Sequence, residues 1–230
     1  MAKGIVYVMR TQIDGLVKIG KCRSDRFVDR MDYIEREGYR RIGVLYRDFA
    51  IEVEDYDYKE KLLHTVFQKS RVGDTELFYV DIKLVKQLMA SMEGKVVFPV
   101  DETKKEIFDD ATEALESSIL PPGKYTFDYQ PQKSKEKYFG TLESKEGKLV
   151  LLKGSRLAPI TMTKSKKWYN KRTEFILEKN VLTHDVEIDA VSEAAYYVCG
   201  KSKNGWDAWR DAHGNYIDVY RKQIETEEDE

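Results

Sequence analysis

The chain has 230 residues, 41% of them apolar and 35% charged, so it can bury one or two cores of the usual domain size of about 100–200 residues. Its formal net charge is −2, which excludes a globally basic nucleic-acid-binding chain. Two cysteines and three histidines at wide spacing exclude a disulfide framework and a four-ligand zinc site, which favours a reducing compartment.

The N-terminus lacks the features of an export signal. The first ten residues have no long apolar core, and no run in the chain approaches the roughly 18 apolar residues of a membrane span. We therefore expect a soluble, cytoplasmic protein with no membrane partner.

Charge is distributed in blocks along the chain. Residues 1–95 carry 18 Lys and Arg against 16 Asp and Glu, residues 96–120 carry 2 against 7, residues 121–222 carry 19 against 13, and residues 223–230 carry 0 against 5. Acidic runs are usually solvated linkers or tails, whereas the basic third block is a weak sign of a polyanionic partner.

These blocks and the breaker run Pro121-Pro122-Gly123 predict the domain organisation. It consists of a first domain over 1–95, an acidic linker or helix over 96–121, a second domain over 122–222 and an acidic tail over 223–230.

The first domain alternates short strands and amphipathic helices. The turn signal Asp14-Gly15 between two β-rich runs predicts a hairpin. Ser24 offers a helix N-cap and Gly38 a helix end. In chain order, the predicted strands are Ile5–Arg10, Leu16–Gly20, Ile42–Tyr46 (continuing through Phe49 to Val53) and Leu77–Val80. The predicted helices are one from Ser24, one over Asp57–Lys69 and one over Ile82–Met92. The apolar residues that support the first two helices are Phe27, Met31 and Ile34, and Tyr58, Leu62, Leu63, Val66 and Phe67. The pattern is that of a small α/β (α+β) unit.

The remainder predicts a linking helix and a second small α+β domain. The elements, in chain order, are a helix Lys104–Leu115, strands Tyr125–Tyr129, Tyr138–Leu142 and Leu149–Lys153, a helix Lys167–Glu178, and a helix from the N-cap Ser192 to Val198 that ends at Gly200.

Four features of the first domain follow one another along the chain in an order that supports a resemblance to a known family. Tyr7 lies within Gly4–Met9, the run Lys18-Ile19-Gly20 follows, and Arg30 and Glu60 each fall on a predicted helix. This set resembles the GIY-YIG nuclease superfamily, in the branch whose second motif reads KIG. The run Glu60-x-x-x-His64 and the run Arg71…Glu76-Leu77-Phe78 resemble the same branch, and the resemblance covers about residues 1–90.

The resemblance implies a small three-stranded antiparallel sheet flanked by helices, and a metal-dependent endonuclease. Phosphodiester cleavage needs an activated oxygen nucleophile and neutralisation of charge at phosphorus, and a metal helps with both. A Tyr can act as base if a nearby cation lowers its pKa of about 10, an Arg matches phosphate oxygens, and one or two carboxylates suffice for Mg²⁺.

Glu60 is the predicted metal ligand, with Mg²⁺ or Mn²⁺ as the cofactor. It shares a helix face with the apolar Leu63 and Phe67, where a carboxylate is costly unless a partner pairs with it. The alternative is a Glu at the helix edge that reaches solvent. Arg30 would stabilise the transition state; the alternative is a surface arginine, and Arg26, one turn earlier, is a possible substitute.

Tyr7 and Lys18 complete the predicted catalytic group with His64. Lys18 stands where the superfamily more often has Tyr, and we hypothesise that its ammonium lowers the Tyr7 pKa or contacts a phosphate. The alternatives are a packed strand tyrosine and a solvent-facing lysine. His64 would be a second metal ligand, a proton relay or a partner that orients Glu60.

Contacts to a nucleic-acid backbone are predicted for Lys21, Arg26 and Arg71, while Glu76 is assigned to a structural turn. Many members of the superfamily carry a late Asn, which has no counterpart here.

The second domain, over about 145–220, looks like a small domain of unknown function that often follows such modules in bacterial and phage proteins. That resemblance implies no reaction. Trp206 and Trp209 are interpreted as packing residues, with base stacking as the alternative. Gly154-Ser155-Arg156 is interpreted as a tight turn, with anion binding as the alternative. A lysine-rich cluster is either a solvated helix face or a phosphate-binding patch; its members are Lys164, Lys166, Lys167, Lys171 and Arg172.

Three functions follow. The first is a metal-dependent endonuclease acting on nucleic acid, DNA before RNA, in restriction, phage defence or mobile-element biology. The second is a nucleic-acid-binding protein that keeps the nuclease scaffold without catalysis. The third is an interaction module whose acidic segments recruit a protein. A monomer with one active site would nick DNA, and double-strand cutting would require oligomerisation; the sequence predicts no oligomeric state.

Overall fold

A computed structural model describes residues 3–39, 42–132 and 135–221. The chain divides into two compact units, with the boundary between Thr112 and Glu113, inside a helix that the sequence predicts as the linker. The domain limits predicted at 95 and 121 stay a prediction, and the predicted tail 223–230 lies outside the described residues. No described helix is long and apolar enough to cross a membrane.

The first unit is one antiparallel sheet with helices on both faces. Its strands are β1 (Lys3–Arg10), β2 (Leu16–Arg23), β3 (Tyr46–Glu54), β4 (Leu77–Tyr79) and β5 (Lys95–Phe98), and its helices are α1 (Phe27–Glu37), α2 (Tyr56–Val66), α3 (Ile82–Ser91) and the beginning of α4 (Lys104–Ser117). Among the described residues the strand order is β4-β2-β1-β3-β5. The mixed α+β class is confirmed, but the sheet has two more strands than the three predicted.

Alternation along β1 divides the core into two layers. Ile5, Tyr7 and Met9 pack with the apolar face of α1, whereas Val6 and Val8 pack with α2 and α3. Successive strand residues point to opposite faces of a sheet, so this division follows directly from period two. Each helical layer therefore covers a different set of β1 and β2 side chains.

Several predicted details of the first unit are wrong. Ser24 does not cap α1: the helix begins at Phe27, with no side-chain cap, and the Ser24 hydroxyl donates instead to Glu52, 2.5 Å away. The third strand begins at Tyr46, later than predicted. In α2 three residues of the predicted apolar set are exposed, because only Leu63 and Phe67 reach the core; the exposed three are Tyr58, Leu62 and Val66.

The second unit packs a nine-residue helix on an antiparallel sheet that has four strands among the described residues. Its elements are β6 (Gly123–Tyr129), β7 (Tyr138–Lys145), β8 (Lys148–Leu151), α5 (Lys166–Thr173), β9 (Leu177–Glu178), β10 (Val181–Leu182), β11 (Val186–Ile188) and α6 (Val191–Cys199). The order of the sheet is β11-β8-β7-β6, and every residue of α6 except Ser192 is buried. The helix ends at Gly200, whose φ of +73° suits glycine, as the sequence predicts.

Other predictions for the second unit are corrected or resolved. Ser192 is not the N-cap of α6, which has no side-chain cap; its hydroxyl accepts from the Gly205 amide at 2.7 Å. Helix α5 ends at Thr173, because the chain then turns into the β9–β10 hairpin. Trp206 and Trp209 are buried core residues, so the packing interpretation holds and base stacking by them is excluded.

The lysine-rich cluster does not form one open cationic patch. Arg172 is buried, with 1% of its surface exposed, and Lys171 pairs with Asp189 and Glu193. Ion pairing and burial remove both side chains from a phosphate-binding face, so the solvated-face interpretation is favoured for the remaining members.

Candidate active site

The first motif and the second motif meet directly in the β1–β2 hairpin. Tyr7 lies opposite Gly20 in the antiparallel register, and Met9 lies opposite Lys18. A Cβ added at Gly20 would stand 2.8 Å from the Tyr7 hydroxyl oxygen and 2.8 Å from the Lys18 Nζ. Glycine is therefore required at this position for a steric reason: the phenol ring and the lysine tip occupy the space that a side chain would fill.

Tyr7 is 1% exposed, and its environment opposes ionisation. Burial raises the pKa of Tyr7 to about 12, although the neighbouring Arg30 guanidinium acts in the opposite direction. No described residue offers a well-aligned hydrogen bond to the buried hydroxyl oxygen. The hypothesis of a lowered Tyr7 pKa is thus wrong for the free protein, because desolvation outweighs the nearby cation.

Arg30 is the cation at the outer side of this hydroxyl. It lies one helical turn into α1, whose apolar residues Phe27, Met31 and Ile34 face the sheet. This packing places Arg30 on the flank of the helix, half-buried, beside Tyr7. A guanidinium that is only half-buried can receive a phosphate oxygen.

Lys18 is not the solvent-facing lysine of the alternative interpretation. Its side chain is 0% exposed and forms an ion pair with Glu76, and its Nζ lies 5.4 Å from the ring centroid of Tyr7 and 4.6 Å from that of Tyr39. Burial lowers the pKa of Lys18, which Glu76 only partly offsets. Burial alone would raise the pKa of Glu76, but Lys18, together with His64 and Arg30, lowers it.

Glu76 belongs to the candidate site, although the sequence interpretation assigned it to a structural turn. It precedes β4, and the Ile19 amide donates to its backbone carbonyl at 3.0 Å, which brings its side chain to Lys18 and within 3.4 Å of the Tyr39 hydroxyl. The one available signal was a buried lysine at 18 that needs a carboxylate. The assignment of Glu76 to a structural turn is therefore incomplete.

A second group of polar side chains lies on α2. Glu60 is 7% exposed; one carboxylate oxygen lies 3.3 Å from the Lys21 Nζ and the other lies 3.6 Å from the His64 Nε2. Lys21 also pairs with Asp57 at 2.8 Å, and the His64 Nε2 lies 3.1 Å from the Ile19 carbonyl oxygen. The buried carboxylate thus has the partners that its position demands, and the solvent-reaching alternative is excluded.

Two faces of the sheet contribute to the site. Tyr7, Lys18 and Arg30 belong to the α1 face, whereas Glu60 and His64 come from α2 on the other face. β4 pairs with β2 only as far as Lys18, which leaves the rest of β2 as an edge. Around this edge the groups interact: Glu60 acts on Lys18 electrostatically, and His64 acts on Glu76.

The remaining predicted residues lie at the surface of the first unit. Arg26 is exposed, with Asp29 as a loose partner at 3.8 Å. Arg71 stabilises the turn before β4, because its Nε donates to the Thr75 carbonyl at 2.6 Å. Lys21 is one-third exposed and is held by its two carboxylates. Arg26 therefore remains available for a phosphate, while Arg71 has a structural contact as well.

The described residues contain no group of three or more His, Cys, Asp and Glu side chains that could hold a metal ion. The donor set at α2 fits only a cation that retains most of its waters and takes one carboxylate, which is the usual behaviour of Mg²⁺. Glu60 would be that carboxylate.

Comparison with protein families finds two separate matching segments, one within each of the two units. Residues 4–93 match the family model described as T5orf172 domain, a domain associated with nucleases, and residues 132–221 match the one described as Domain of unknown function (DUF4357). Each match covers less than half of the chain. No curated protein and no solved structure matches the chain significantly. The first matched segment contains every predicted site residue.

Proposed function

We propose that the first unit is a metal-dependent endonuclease of the GIY-YIG type that hydrolyses phosphodiester bonds, in DNA before RNA. The observation that carries the proposal is the grouping of the Tyr7 hydroxyl, the Arg30 guanidinium and the Lys18–Glu76 pair around Gly20. Glu60 lies on α2, on the other face of the sheet, and acts on Lys18 electrostatically. The nuclease-associated family of residues 4–93 supports the same reaction class. Restriction, phage defence or mobile-element biology would be the setting.

The roles of the residues follow from their exposure and charge. Arg30, half-exposed beside Tyr7, would bind the non-bridging oxygens of the scissile phosphate and neutralise the charge that develops there. Water adds across the phosphorus–oxygen bond: its oxygen attacks phosphorus, one of its protons passes to the general base, the bond to the leaving oxygen breaks, and the leaving oxygen takes up a proton from the protonated base or from solvent. Tyr7, almost wholly protonated at neutral pH because of its raised pKa, would act as the general base through its small phenolate fraction.

Lys18 and Glu76 would hold and tune this arrangement. Lys18 fills the space between the rings of Tyr7 and Tyr39, and Glu76 fixes its ammonium in place. The pair would position the Tyr7 ring over Gly20, and the Glu76 carboxylate, whose side chain is 35% exposed, would keep the pair in contact with solvent.

A cation would bind through Glu60. On α2, the atoms of Glu60 and His64 that could bind a metal already lie close together, with the Glu60 Oε1 3.6 Å from the His64 Nε2. When bound, Mg²⁺ or Mn²⁺ would supply Lewis-acid polarisation of the phosphate and a more acidic water. Lys21 would release Glu60 to the cation and keep Asp57 as its partner.

One observation favours a second function, nucleic-acid binding without catalysis. The raised pKa of Tyr7 and the engagement of Lys18 by Glu76 leave the free protein without a ready general base. A scaffold that binds phosphates through Arg30 without cleaving them would show the same features.

The deciding experiment is cleavage of supercoiled plasmid, single-stranded DNA and RNA of equal sequence, with Mg²⁺, with Mn²⁺ and with a chelator. We expect metal-dependent nicking that Glu60→Gln abolishes. The matched control is Asp57→Asn on the same helix, which removes the other partner of Lys21 and keeps the carboxylate at 60. Retarded migration of the nucleic acid without cleavage would support the binding function, and no interaction with any nucleic acid would overturn both.

A further inference from the structure

The second unit contains an open cleft at the free edge of its sheet. Its volume is about 280 Å³, near the lower end of the roughly 300–1,000 Å³ typical of small-ligand sites. Within the cleft, Arg210 bridges Thr126 of the edge strand β6, with reciprocal backbone hydrogen bonds of 2.9 Å. The lining residues are Thr126, Phe127, Asp128, Tyr129, Lys201, Lys203, Asp207, Ala208, Arg210 and Tyr216.

Each of two aromatic rings in this cleft has a cationic side chain over its face. The Arg210 guanidinium lies 3.8 Å from the ring centroid of Tyr216, and its Nη1 donates to the Gly214 carbonyl at 2.6 Å, which fixes the guanidinium against the ring. The Lys201 Nζ lies 4.9 Å from the centroid of Tyr129. Planar rings and guanidinium faces are the surfaces on which unpaired nucleobases stack.

The charges of the cleft complement a nucleotide. Three cations, Lys201, Lys203 and Arg210, stand against two carboxylates, Asp128 and Asp207. All five residues are exposed, so the cations can reach phosphates in solvent. Carboxylates accept hydrogen bonds from the amino groups of bases, such as the amino group of cytosine. The two carboxylates of the cleft can therefore also help to bind such a ligand.

We propose that this cleft binds a nucleotide, free or within single-stranded nucleic acid, by stacking its base on the Tyr216–Arg210 pair and holding its phosphate with Lys203 and Lys201. Neither family description assigns a ligand to this unit. Binding here requires no cleavage by the first unit, so it can be tested under conditions where no cleavage occurs.

The test is fluorescence anisotropy of the full chain with a labelled single-stranded oligonucleotide, in the presence of a chelator. Tyr216→Ala should weaken binding about 5- to 100-fold, the usual effect of losing one stacked base, and Tyr216→Phe should retain binding. The control is Tyr169→Ala, because Tyr169 is equally exposed at 44% and lies outside the cleft lining.

Salt dependence separates stacking from phosphate contact. Lys203→Glu should weaken binding and flatten the plot of log affinity against log salt by about 0.7 for the lost contact, whereas Tyr216→Ala should leave the slope unchanged. Lys153→Glu makes the same charge change at an exposed residue outside the cleft and controls for global charge.

Competition by a mononucleotide and by duplex DNA identifies the source of the ligand. Displacement of the oligonucleotide by the mononucleotide at low concentration supports a free nucleotide, and weak displacement supports a single strand. A preference for duplex, equal binding by Tyr216→Ala and Tyr169→Ala, or no binding of either ligand would overturn the proposal. A Glu60→Gln variant that binds as the wild type would show that the outcome is separate from that of the nuclease proposal.

Discussion

Each unit of the protein buries a basic side chain, but in different ways. Lys18 in the first unit is 0% exposed and pairs with Glu76, a carboxylate that remains 35% exposed. Arg172 in the second unit is 1% exposed and donates to the backbone carbonyls of Ala158 and Tyr197. Lys18 thus has a partly exposed, titratable partner, whereas Arg172 lies inside a core.

The difference separates a charge at the candidate active site from one that holds a core together. Arg172 joins the Ala158 carbonyl to the Tyr197 carbonyl near the end of α6, and burial lowers its pKa to about 10. Lys18 shares its environment with Tyr7, Tyr39 and Arg30. A charge is costly to bury in either place, but only in the first does it adjoin groups that could act on a phosphate.

The largest expected effect tests how Lys18 is held. Glu76→Gln should lower the free energy of unfolding by about 3–5 kcal/mol, because it leaves a fully buried ammonium unpaired. Lys18→Met should cost clearly less, because Glu76 can reach solvent when its partner is gone. Urea unfolding of both variants measures the asymmetry, and equal losses would contradict it.

Acid should reproduce part of this loss in the wild type. Because Lys18 lowers the pKa of Glu76 below its ordinary 4.5, the pair contributes stability above that pH, and the contribution is lost as the pH falls through the folded-state pKa. The Glu76→Gln variant should lack this acid-dependent component.

The second expected effect concerns catalysis at Arg30. If Arg30 stabilises the transition state, Arg30→Gln should reduce kcat by about 10²–10³-fold with little change in stability. Arg26→Gln, one turn earlier and exposed, should raise KM and leave kcat unchanged, since a surface cation only attracts substrate. Steady-state nicking kinetics distinguish the two, and a similar loss of kcat in both variants would remove the special role of Arg30.

The third expected effect is a pH dependence that comes from Tyr7. With its pKa raised to about 12, the fraction of phenolate increases tenfold per pH unit, so kcat/KM should rise about tenfold per unit between about pH 7 and 9 if Tyr7 is the general base. Tyr7→Phe should be slow and independent of pH in this range. A flat wild-type profile would leave Tyr7 as a hydrogen-bond donor to the substrate.

The local parts of this site could be predicted from the sequence, and the non-local parts could not. The Asp14-Gly15 turn fixes the β1–β2 hairpin, and with it the apposition of Tyr7 and Gly20. Glu76 lies 58 residues from Lys18 in the sequence, so their contact depends on the pairing of β4 with β2, which no local pattern specifies.

Burial was the second limit of the sequence interpretation. Tyr7 was expected beside a cation that lowers its pKa, but the depth of the ring, which only packing reveals, reverses the sign. The short strand β5 was missed because four residues before Pro99 show too little alternation to predict a strand. In the second unit the basic surplus was correctly noted, but its arrangement around Tyr129 and Tyr216 depends on the return of the chain to β6.

The fourth expected effect tests the steric requirement at Gly20. Gly20→Ala should cost about 1–3 kcal/mol of stability, as overpacking in a core does, and should slow nicking because the Tyr7 ring must shift. The control is Gly123→Ala, also in a strand, where the nearest atom to an added Cβ is 3.7 Å away; its stability should stay within about 0.5 kcal/mol of the wild type. Full activity of Gly20→Ala would mean that the position of the Tyr7 hydroxyl is unimportant.

The smallest expected effect on activity is at Arg172, and it tests the comparison from its other side. Arg172→Met keeps an apolar stem but removes the donors to two buried carbonyls, which should cost about 1–3 kcal/mol of stability. Because Arg172 belongs to the second unit and contacts only its core, nicking by the first unit should keep its wild-type kcat at temperatures where the variant is folded. Oligonucleotide binding should also persist, since Arg172 lies outside the cleft lining. A variant that is stable but loses nicking or binding would mean that this buried cation serves function after all, and burial beside backbone carbonyls would no longer distinguish a structural charge from a functional one.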